Sequence, residues 1–287
     1  MTPTRRDFLK TAAVGAAGAV ASAGGSRIFA ARQNSRDGTA LFMSRIPFEL
    51  GMASYTFRAF GLDEAVAMTK KLGLKKIALK SMHLPLETPD DEIGKIAAKV
   101  RAAGLDLYGG GVIYMTNTDE VVRAFDYARA AGMRMIIGVP NPELIDMAEI
   151  KVIQTGIALA IHNHGPGDKL YPTPDSVAER IAYRDRRVGL CLDVGHTARS
   201  GIDPADAALR HAARLLDVHI KDVSAATAAG TTVEIGRGVI NIPAFLRALV
   251  TIGYAGAVSL EYEKDEKDPY PGSAESIEYL RKTLAAL

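Results

Sequence analysis

The sequence predicts an α/β fold, a (β/α)8 TIM barrel, on the strength of three observations. From Phe48 onward, short β-branched or apolar runs alternate with longer amphipathic runs, at a spacing of roughly 25 to 35 residues. Eight of the short runs have strand character, and eight parallel strands separated by helices can close into a barrel. No glycine-rich phosphate turn follows the first predicted strand, which disfavours a doubly wound sheet.

The predicted elements follow from this alternation. The strands are Glu49 to Phe57, Lys76 to Lys80, Leu105 to Ile113, Met133 to Val139, Ile157 to His162, Val188 to Asp193, Leu216 to Ile220 and Ala257 to Glu261. The main helices are Leu62 to Leu72, Asp91 to Ala103, Asp119 to Ala131, Ser176 to Tyr183, Pro204 to Arg214 and Ile242 to Ile252. Only a short helix, near Glu143 to Gln154, fits between the fourth and fifth strands, so we expect the barrel to be locally open there.

The first 31 residues are predicted to be a targeting segment, and the barrel domain is predicted over residues 46–287. Arg5 and Arg6 precede a weakly apolar, glycine-rich stretch from Thr11 to Gly25, which resembles a bacterial twin-arginine export signal. This pattern predicts contact with the export machinery and a periplasmic location. About 15 apolar residues fall short of the roughly 20 that span a bilayer. The alternative is a basic cytosolic tail.

The charge balance argues for a small-molecule partner. The 35 basic and 33 acidic side chains nearly cancel, so no strong field would attract nucleic acid or an anionic membrane. The single cysteine, Cys191, cannot form a disulfide within the chain. Helices on the outer ring offer a surface for a homo-oligomer.

Metal-ligand side chains stand where the predicted strands end, which is where barrel enzymes place their active sites. These residues are His162, Asp193, His219 and Glu261. Asp193 follows an apolar run, so it would be a costly buried charge without a cation. Two histidines and two carboxylates suit one divalent ion, whether Mn, Mg, Co or Zn. His164 is an alternative to His162 as ligand, and Glu263 is an alternative to Glu261.

Further polar side chains near the strand ends are candidates for binding or catalysis. Glu261 would serve as a base as well as a ligand, and His164 and His196 are candidates for a second acid or base. We expect Lys80, Lys221 and Arg237 to hold substrate oxygens. His83 and Asn163 are further candidates for substrate binding, whereas His211 lies within a predicted helix and is assigned no role.

Three motifs resemble the xylose-isomerase-like barrel superfamily of sugar isomerases and epimerases: residues 188–201, Asp217 to Asp222, and Gly236-Arg-Gly238. The resemblance covers the chain from Phe48 onward. It implies one divalent ion held by residues on strands five to eight, which are His162, Asp193, His219 and Glu261 here. The usual strand-five ligand in that superfamily is glutamate, so the histidine is a departure that leaves His162 and His164 both open.

The resemblance implies a sugar or keto-sugar substrate that reacts through an enediolate. Residues 161–166 and 260–263 resemble exported bacterial members, some of which add water to 3-keto sugars or eliminate it from them. A keto-sugar hydratase or lyase is therefore the main alternative to the predicted isomerase. An endonuclease-IV-like phosphodiesterase is a further alternative, disfavoured by the lack of basic excess. The last alternative is a non-catalytic sugar-binding protein.

Overall fold

Eight parallel strands close into a barrel, with helices between them, as the sequence predicts. The structure, a computed structural model, describes residues 46–287. The predicted signal segment, residues 1–31, lies outside the described residues. None of the helices in the described part of the chain has both the length and the apolar character needed to cross a bilayer.

The bounds of the elements are as follows. The barrel strands are β1 (Glu49–Ala53), β2 (Lys76–Leu79), β3 (Asp106–Met115), β4 (Met135–Pro140), β5 (Ala158–His162), β6 (Val188–Asp193), β7 (Leu215–Ile220) and β10 (Ala257–Leu260). A small antiparallel hairpin consists of β8 (Asp222–Val223) and β9 (Thr232–Val233). The helices are α1 (Leu62–Lys71), α2 (Asp90–Ala102), α3 (Thr118–Ala130), α4 (Ile145–Thr155), α5 (Pro174–Ile181), α6 (Val194–Arg199), α7 (Pro204–Arg210), α8 (Ile242–Thr251) and α9 (Tyr270–Ala285).

Each barrel strand pairs with its neighbours in chain order, and β10 closes the ring by pairing with both β7 and β1. All these pairs are parallel, so every strand has its carboxyl end at the same mouth of the barrel. The prediction of an opening beside the fourth strand is wrong. β4 and β5 are paired from Met135–Ala158 to Gly138–Ile161, and the 11 residues of α4 suffice to connect them.

The first strand is shorter than predicted. It ends at Ala53, and Ser54–Phe57 form a 3-10 turn at the mouth of the barrel. The turn is fixed by neighbouring strand ends, because Ser54 accepts a hydrogen bond from the Lys80 amide and Thr56 donates to the Leu260 carbonyl. The polar residues of this segment therefore bind across the barrel mouth instead of continuing the strand ladder.

The core has two parts, separated by the wall of the barrel. Large aliphatic side chains fill the layer between strands and helices. The barrel interior holds a smaller cluster, mostly of small residues, with one large aromatic ring, Tyr108. Because Ala78, Ala160 and Cys191 leave room, the hydroxyl of Tyr108 reaches across to Ser259 and Asp217.

Leu192 lies in the outer layer of the core, so its truncation tests how far that layer stabilises the barrel. Leu192 is 0% exposed, whereas Leu209 on α7 is 47% exposed. We expect Leu192→Ala to lower the free energy of unfolding by about 2–5 kcal/mol, because it leaves a cavity. Leu209→Ala is the matched control and should change it by less than about 0.5 kcal/mol. Equal effects in urea denaturation would contradict this description of the core.

Candidate metal centre

Four side chains from consecutive barrel strands converge at the carboxyl mouth. His162 ends β5, Asp193 ends β6, His219 lies near the end of β7, and Glu261 directly follows β10. All four residues are buried. They offer ligand atoms that all lie within 4.8 Å of one another, so the structure brings together the four predicted ligands.

The nitrogen atoms of this group lack hydrogen-bond partners. Nε2 of His162 is 3.4 Å from Oδ2 of Asp193, and Nδ1 of His219 is 3.3 Å from Oε2 of Glu261. None of the ring nitrogens of His162 and His219 makes a hydrogen bond within the described part of the chain. Buried polar atoms without partners are costly, and a cation would satisfy them. The residues present therefore fit a divalent ion.

A second grouping of possible ligands includes the thiol of Cys191 with His162 and His219. It provides three donors, against four in the group with Asp193 and Glu261. Burial, and then the nearby Asp217 carboxylate, raise the pKa of the Cys191 thiol well above its usual value. Because the thiolate is the form that binds metal, the two-histidine, two-carboxylate set is the better donor group.

The protonation states of three of these residues suit ligation. Burial lowers the pKa of His162 to about 3, which leaves the neutral imidazole that binds metals. Burial opposes the ionisation of Asp193 and Glu261, but the Lys221 ammonium and nearby histidines outweigh it and hold the pKa of both carboxyls below the usual range. Burial also disfavours the His219 cation, yet the Glu261 carboxylate raises the pKa of His219.

Lys221 is a buried ammonium at the centre of the group, only 2% of its side chain being exposed. Its Nζ lies 3.1 Å from Asp193 and 2.7 Å from Glu261, and it also pairs with Glu263. These carboxylates outweigh the effect of burial and raise the pKa of Lys221 well above its usual value. Gly195 makes room for the lysine stem, since a Cβ there would lie 2.4 Å from Cγ of Lys221.

A cavity of about 350 Å³ opens onto two of the four predicted ligands. Its lining includes His162 and Glu261 from that group, together with Tyr55, Lys80, Val112, Tyr114, His164, His196 and Glu263.

Two residues on the wall of this cavity have polar contacts within the protein. Lys80 donates to the Val112 carbonyl at 2.6 Å, and burial lowers the pKa of the Lys80 ammonium. The Tyr114 hydroxyl is 3.2 Å from Nε2 of His164. The predicted Lys80, His164 and His196 thus surround one cavity, and Tyr55 and Tyr114 are lining residues that the sequence reasoning missed.

A second cavity of about 440 Å³ adjoins the first and shares His196 and Glu263 with it. Its far side is formed by the β8–β9 hairpin, including Thr231, Thr232 and Val233. Arg199 also lines it and donates to the Ala228 carbonyl within the hairpin loop. The site is therefore a two-part cleft. The hairpin was not predicted because its two strands are only two residues long.

Three residues predicted to bind substrate lie elsewhere. Arg237 points to α9, where its guanidinium binds both oxygens of Glu275 at 2.5 Å and 2.7 Å. His83 is buried between the Ser54 hydroxyl and the Phe60 carbonyl. Asn163 is fully buried; its side chain accepts a hydrogen bond from the Asp193 amide and donates to Thr197. None of the three lines either part of the cleft.

The Gly236-Arg-Gly238 motif has a structural explanation. The buried carboxylate of Asp222 accepts hydrogen bonds from the amides of Gly236, Gly238 and Ile240, at 2.9, 3.0 and 3.2 Å. A Cβ on Gly238 would lie 2.1 Å from Oδ1 of Asp222. The motif therefore wraps a loop around Asp222, next to the hairpin that bounds the cleft. The arginine between the two glycines is left on the outer surface.

Comparisons with known proteins agree with this architecture. Residues 55–283 match the protein-family model described as the xylose isomerase-like TIM barrel. Residues 2–22 match the family model of the twin-arginine translocation pathway signal sequence, which confirms the predicted export signal and indicates export by that pathway.

Two curated proteins and one solved structure illustrate the similarity. The rhizopine catabolism protein MocC of Rhizobium meliloti is 32% identical over 144 residues, 45% of this chain and 43% of MocC. The inosose dehydratase of Geobacillus thermodenitrificans is 28% identical over 148 residues, 45% of this chain and 49% of that enzyme. The chain thus spans less than half the length of these relatives. An L-ribulose 3-epimerase structure has the same fold, with a TM-score of 0.69 and 17% identity over 83% of this chain and 95% of that one.

Asp222 should be essential to the loop that borders the cleft. Asp222→Ala removes the acceptor of three loop amides, and hydrogen bonds to a charged group contribute about 1.5–3 kcal/mol each. We expect a loss of at least about 3 kcal/mol in the free energy of unfolding. The control is Asp268→Ala, at an exposed aspartate. A stability of Asp222→Ala equal to that of this control in urea denaturation would rule out the structural role.

Proposed function

The chain belongs to the xylose isomerase-like TIM barrel family, and we propose that it is a metal-dependent isomerase or epimerase of a sugar or keto sugar. The observation that carries this proposal is the convergence of four buried nitrogen and oxygen donors. Two of the four residues, His162 and Glu261, line a cavity whose wall also holds two further histidines and a lysine. The reaction would proceed through an enediolate, formed when a proton leaves the carbon next to a carbonyl.

The charges of the buried group favour a divalent cation. The buried carboxylates of Asp193 and Glu261, with the part-exposed Glu263 beside them, outnumber the single ammonium of Lys221. A divalent ion would offset the negative charge that remains. When bound by His162, Asp193, His219 and Glu261, such an ion would polarise a carbonyl and a neighbouring hydroxyl of the sugar. Mn, Mg, Co and Zn all accept this donor set.

In this proposal, side chains at the floor and wall of the cavity transfer the protons. Glu261 is ionised and lies at the floor, where it can accept a proton while remaining a ligand. Burial lowers the pKa of His164 and of His196, so both are neutral bases at neutral pH. Their ring centroids are 5.9 Å apart, on the same cavity. We assign to one of them the return of the proton. Return to the former carbonyl carbon gives isomerisation, whereas return to the original carbon from the opposite face gives epimerisation.

Lys80 and Lys221 have different tasks in this proposal. Lys80 lines the cavity with a half-buried ammonium beside the rings of Tyr55 and Tyr114, where it can donate to a substrate oxygen. Lys221 is held by three carboxylates and keeps Asp193 and Glu261 ionised and oriented. The twin-arginine signal supports a periplasmic site of action, so the substrate would be a sugar found outside the cytoplasm.

A second candidate reaction on the same site is the hydration of a keto sugar, or the elimination of water from one. Elimination begins with the same proton removal, after which a hydroxyl on the next carbon takes up a proton and leaves as water. Hydration is the reverse: water adds to the carbon–carbon double bond of an unsaturated keto sugar, and the carbon next to the carbonyl takes up a proton. The adjoining cavity favours this candidate, because a keto sugar that carries a glycosidic substituent has a second part to place beside the hairpin. The similarity to a protein named as an inosose dehydratase also supports it.

Replacing Glu261 should abolish the chemistry without unfolding the barrel. The purified protein is loaded with Mn²⁺ or Zn²⁺ and incubated in deuterated water with a panel of aldoses, ketoses and 3-keto sugars. We expect deuterium to enter at a carbon next to the carbonyl, and Glu261→Gln to slow this exchange at least about 100-fold. Glu275→Gln, at the α9 carboxylate that binds Arg237, is the control and should leave the exchange unchanged.

The same experiment separates the two candidate reactions. A product of unchanged mass apart from deuterium indicates an isomerase or epimerase, whereas the gain or loss of one water indicates a hydratase or lyase. A wild-type protein that binds no divalent ion and exchanges no proton with any member of the panel would reject both, and would leave a sugar-binding role to be tested.

A further inference from the structure

Asp217 is a buried carboxylate beneath the metal centre, and the proposed reaction gives it no task. It lies on β7, two residues before His219, so both side chains point into the barrel. Asp217 is 0% exposed. Within the described residues, the only cationic or titratable nitrogen within 4.0 Å of its carboxylate is Nε2 of His219, at 3.7 Å.

The other contacts of Asp217 are neutral. The Tyr108 hydroxyl donates to Oδ1 at 3.2 Å, and the Cys191 thiol lies 3.6 Å from Oδ2. Ser259 contacts Tyr108 at 2.8 Å and completes the buried group. An unpaired carboxylate is costly in such surroundings, and a neutral amide of the same shape would satisfy Tyr108 equally well. Packing alone therefore gives no reason for an acid at this position.

The two nitrogens of the His219 ring face opposite groups. Nδ1 lies 3.3 Å from Oε2 of Glu261, on the side of the four ligands, whereas Nε2 faces Asp217. When an ion is bound on the side of Nδ1 and Glu261, the hydrogen of the neutral ring has to lie on Nε2, and the Asp217 carboxylate beside that nitrogen stabilises it there. Carboxylates in contact with the distal nitrogen of a ligating histidine orient the ring and raise its basicity.

We infer that Asp217 is a positioning residue, which fixes the tautomer and orientation of His219 so that Nδ1 binds the ion. This inference rests on the metal site of the proposed function. It assigns a role to the first residue of the Asp217-to-Asp222 motif, whose last residue, Asp222, organises the neighbouring loop.

The test measures metal affinity rather than activity. Zn²⁺ binding is measured by competition with a chromophoric chelator for the wild type, Asp217→Asn and Ser259→Ala, together with the thermal unfolding of each metal-free protein. We expect Asp217→Asn to weaken Zn²⁺ binding about 10- to 100-fold. Its metal-free form should unfold at the wild-type temperature or above, because a buried charge has been removed. Ser259→Ala, in the same buried group but without a hydrogen bond to the His219 ring, should keep wild-type affinity.

A structural role would give the reverse pattern: an Asp217→Asn protein that is less stable but binds Zn²⁺ as tightly as the wild type overturns the inference. If this variant does not fold, the inference is tested on the wild-type protein by NMR spectroscopy. Long-range ¹⁵N–¹H correlation spectra of the Zn²⁺-loaded protein should show the His219 hydrogen on Nε2 and the metal on Nδ1, and the opposite assignment overturns the inference. A wild type without Zn²⁺ affinity rejects the proposed metal site itself, and the inference with it.

Discussion

The burial of several charges at one end of the barrel is the constraint on which the site depends. Asp193, Glu261 and Lys221 are all removed from water, and they are placed by three strands whose carboxyl ends meet at the same mouth. Removing such charges from water costs several kcal/mol per ion unless they are paired. The ammonium of Lys221 offsets part of this cost. The proposed divalent cation would offset the remainder, so it would stabilise the folded protein as well as take part in its chemistry.

The strand ends could be predicted because their pattern is local. Asp193 and His162 each follow an uninterrupted apolar run, and His219 and Glu261 lie at or near the ends of two further predicted strands. In a parallel barrel these positions must meet, so strand order alone predicts that the four side chains are neighbours. The same reasoning places Lys80, His164, His196 and Lys221 around the centre, which agrees with their positions in the structure. Their catalytic roles stay predictions.

The structure departs from the sequence-based expectations where a residue's partner is distant in sequence. Arg237 was assigned to the substrate because its motif resembles a functional one, but its partner is Glu275, on the last helix, and its flanking glycines serve Asp222. The β1 strand was extended to Phe57 because the segment has strand-like composition, although contacts with β2 and β10 turn it into a 3-10 turn. Asn163 and His83 are polar residues near strand ends whose hydrogen bonds are satisfied inside the protein. Local sequence does not distinguish such residues from ligands.

In the proposed site a divalent ion binds to nitrogen and oxygen donors alone, two of them imidazoles. X-ray absorption spectroscopy of the Zn²⁺-loaded protein identifies these donors, because sulfur lies at about 2.3 Å from zinc and nitrogen or oxygen at about 2.0–2.2 Å. We expect a first shell of nitrogen and oxygen only, with the outer-shell scattering of two imidazole rings, from His162 and His219. A sulfur shell from Cys191, or a spectrum without imidazole scattering, would contradict this set of metal ligands.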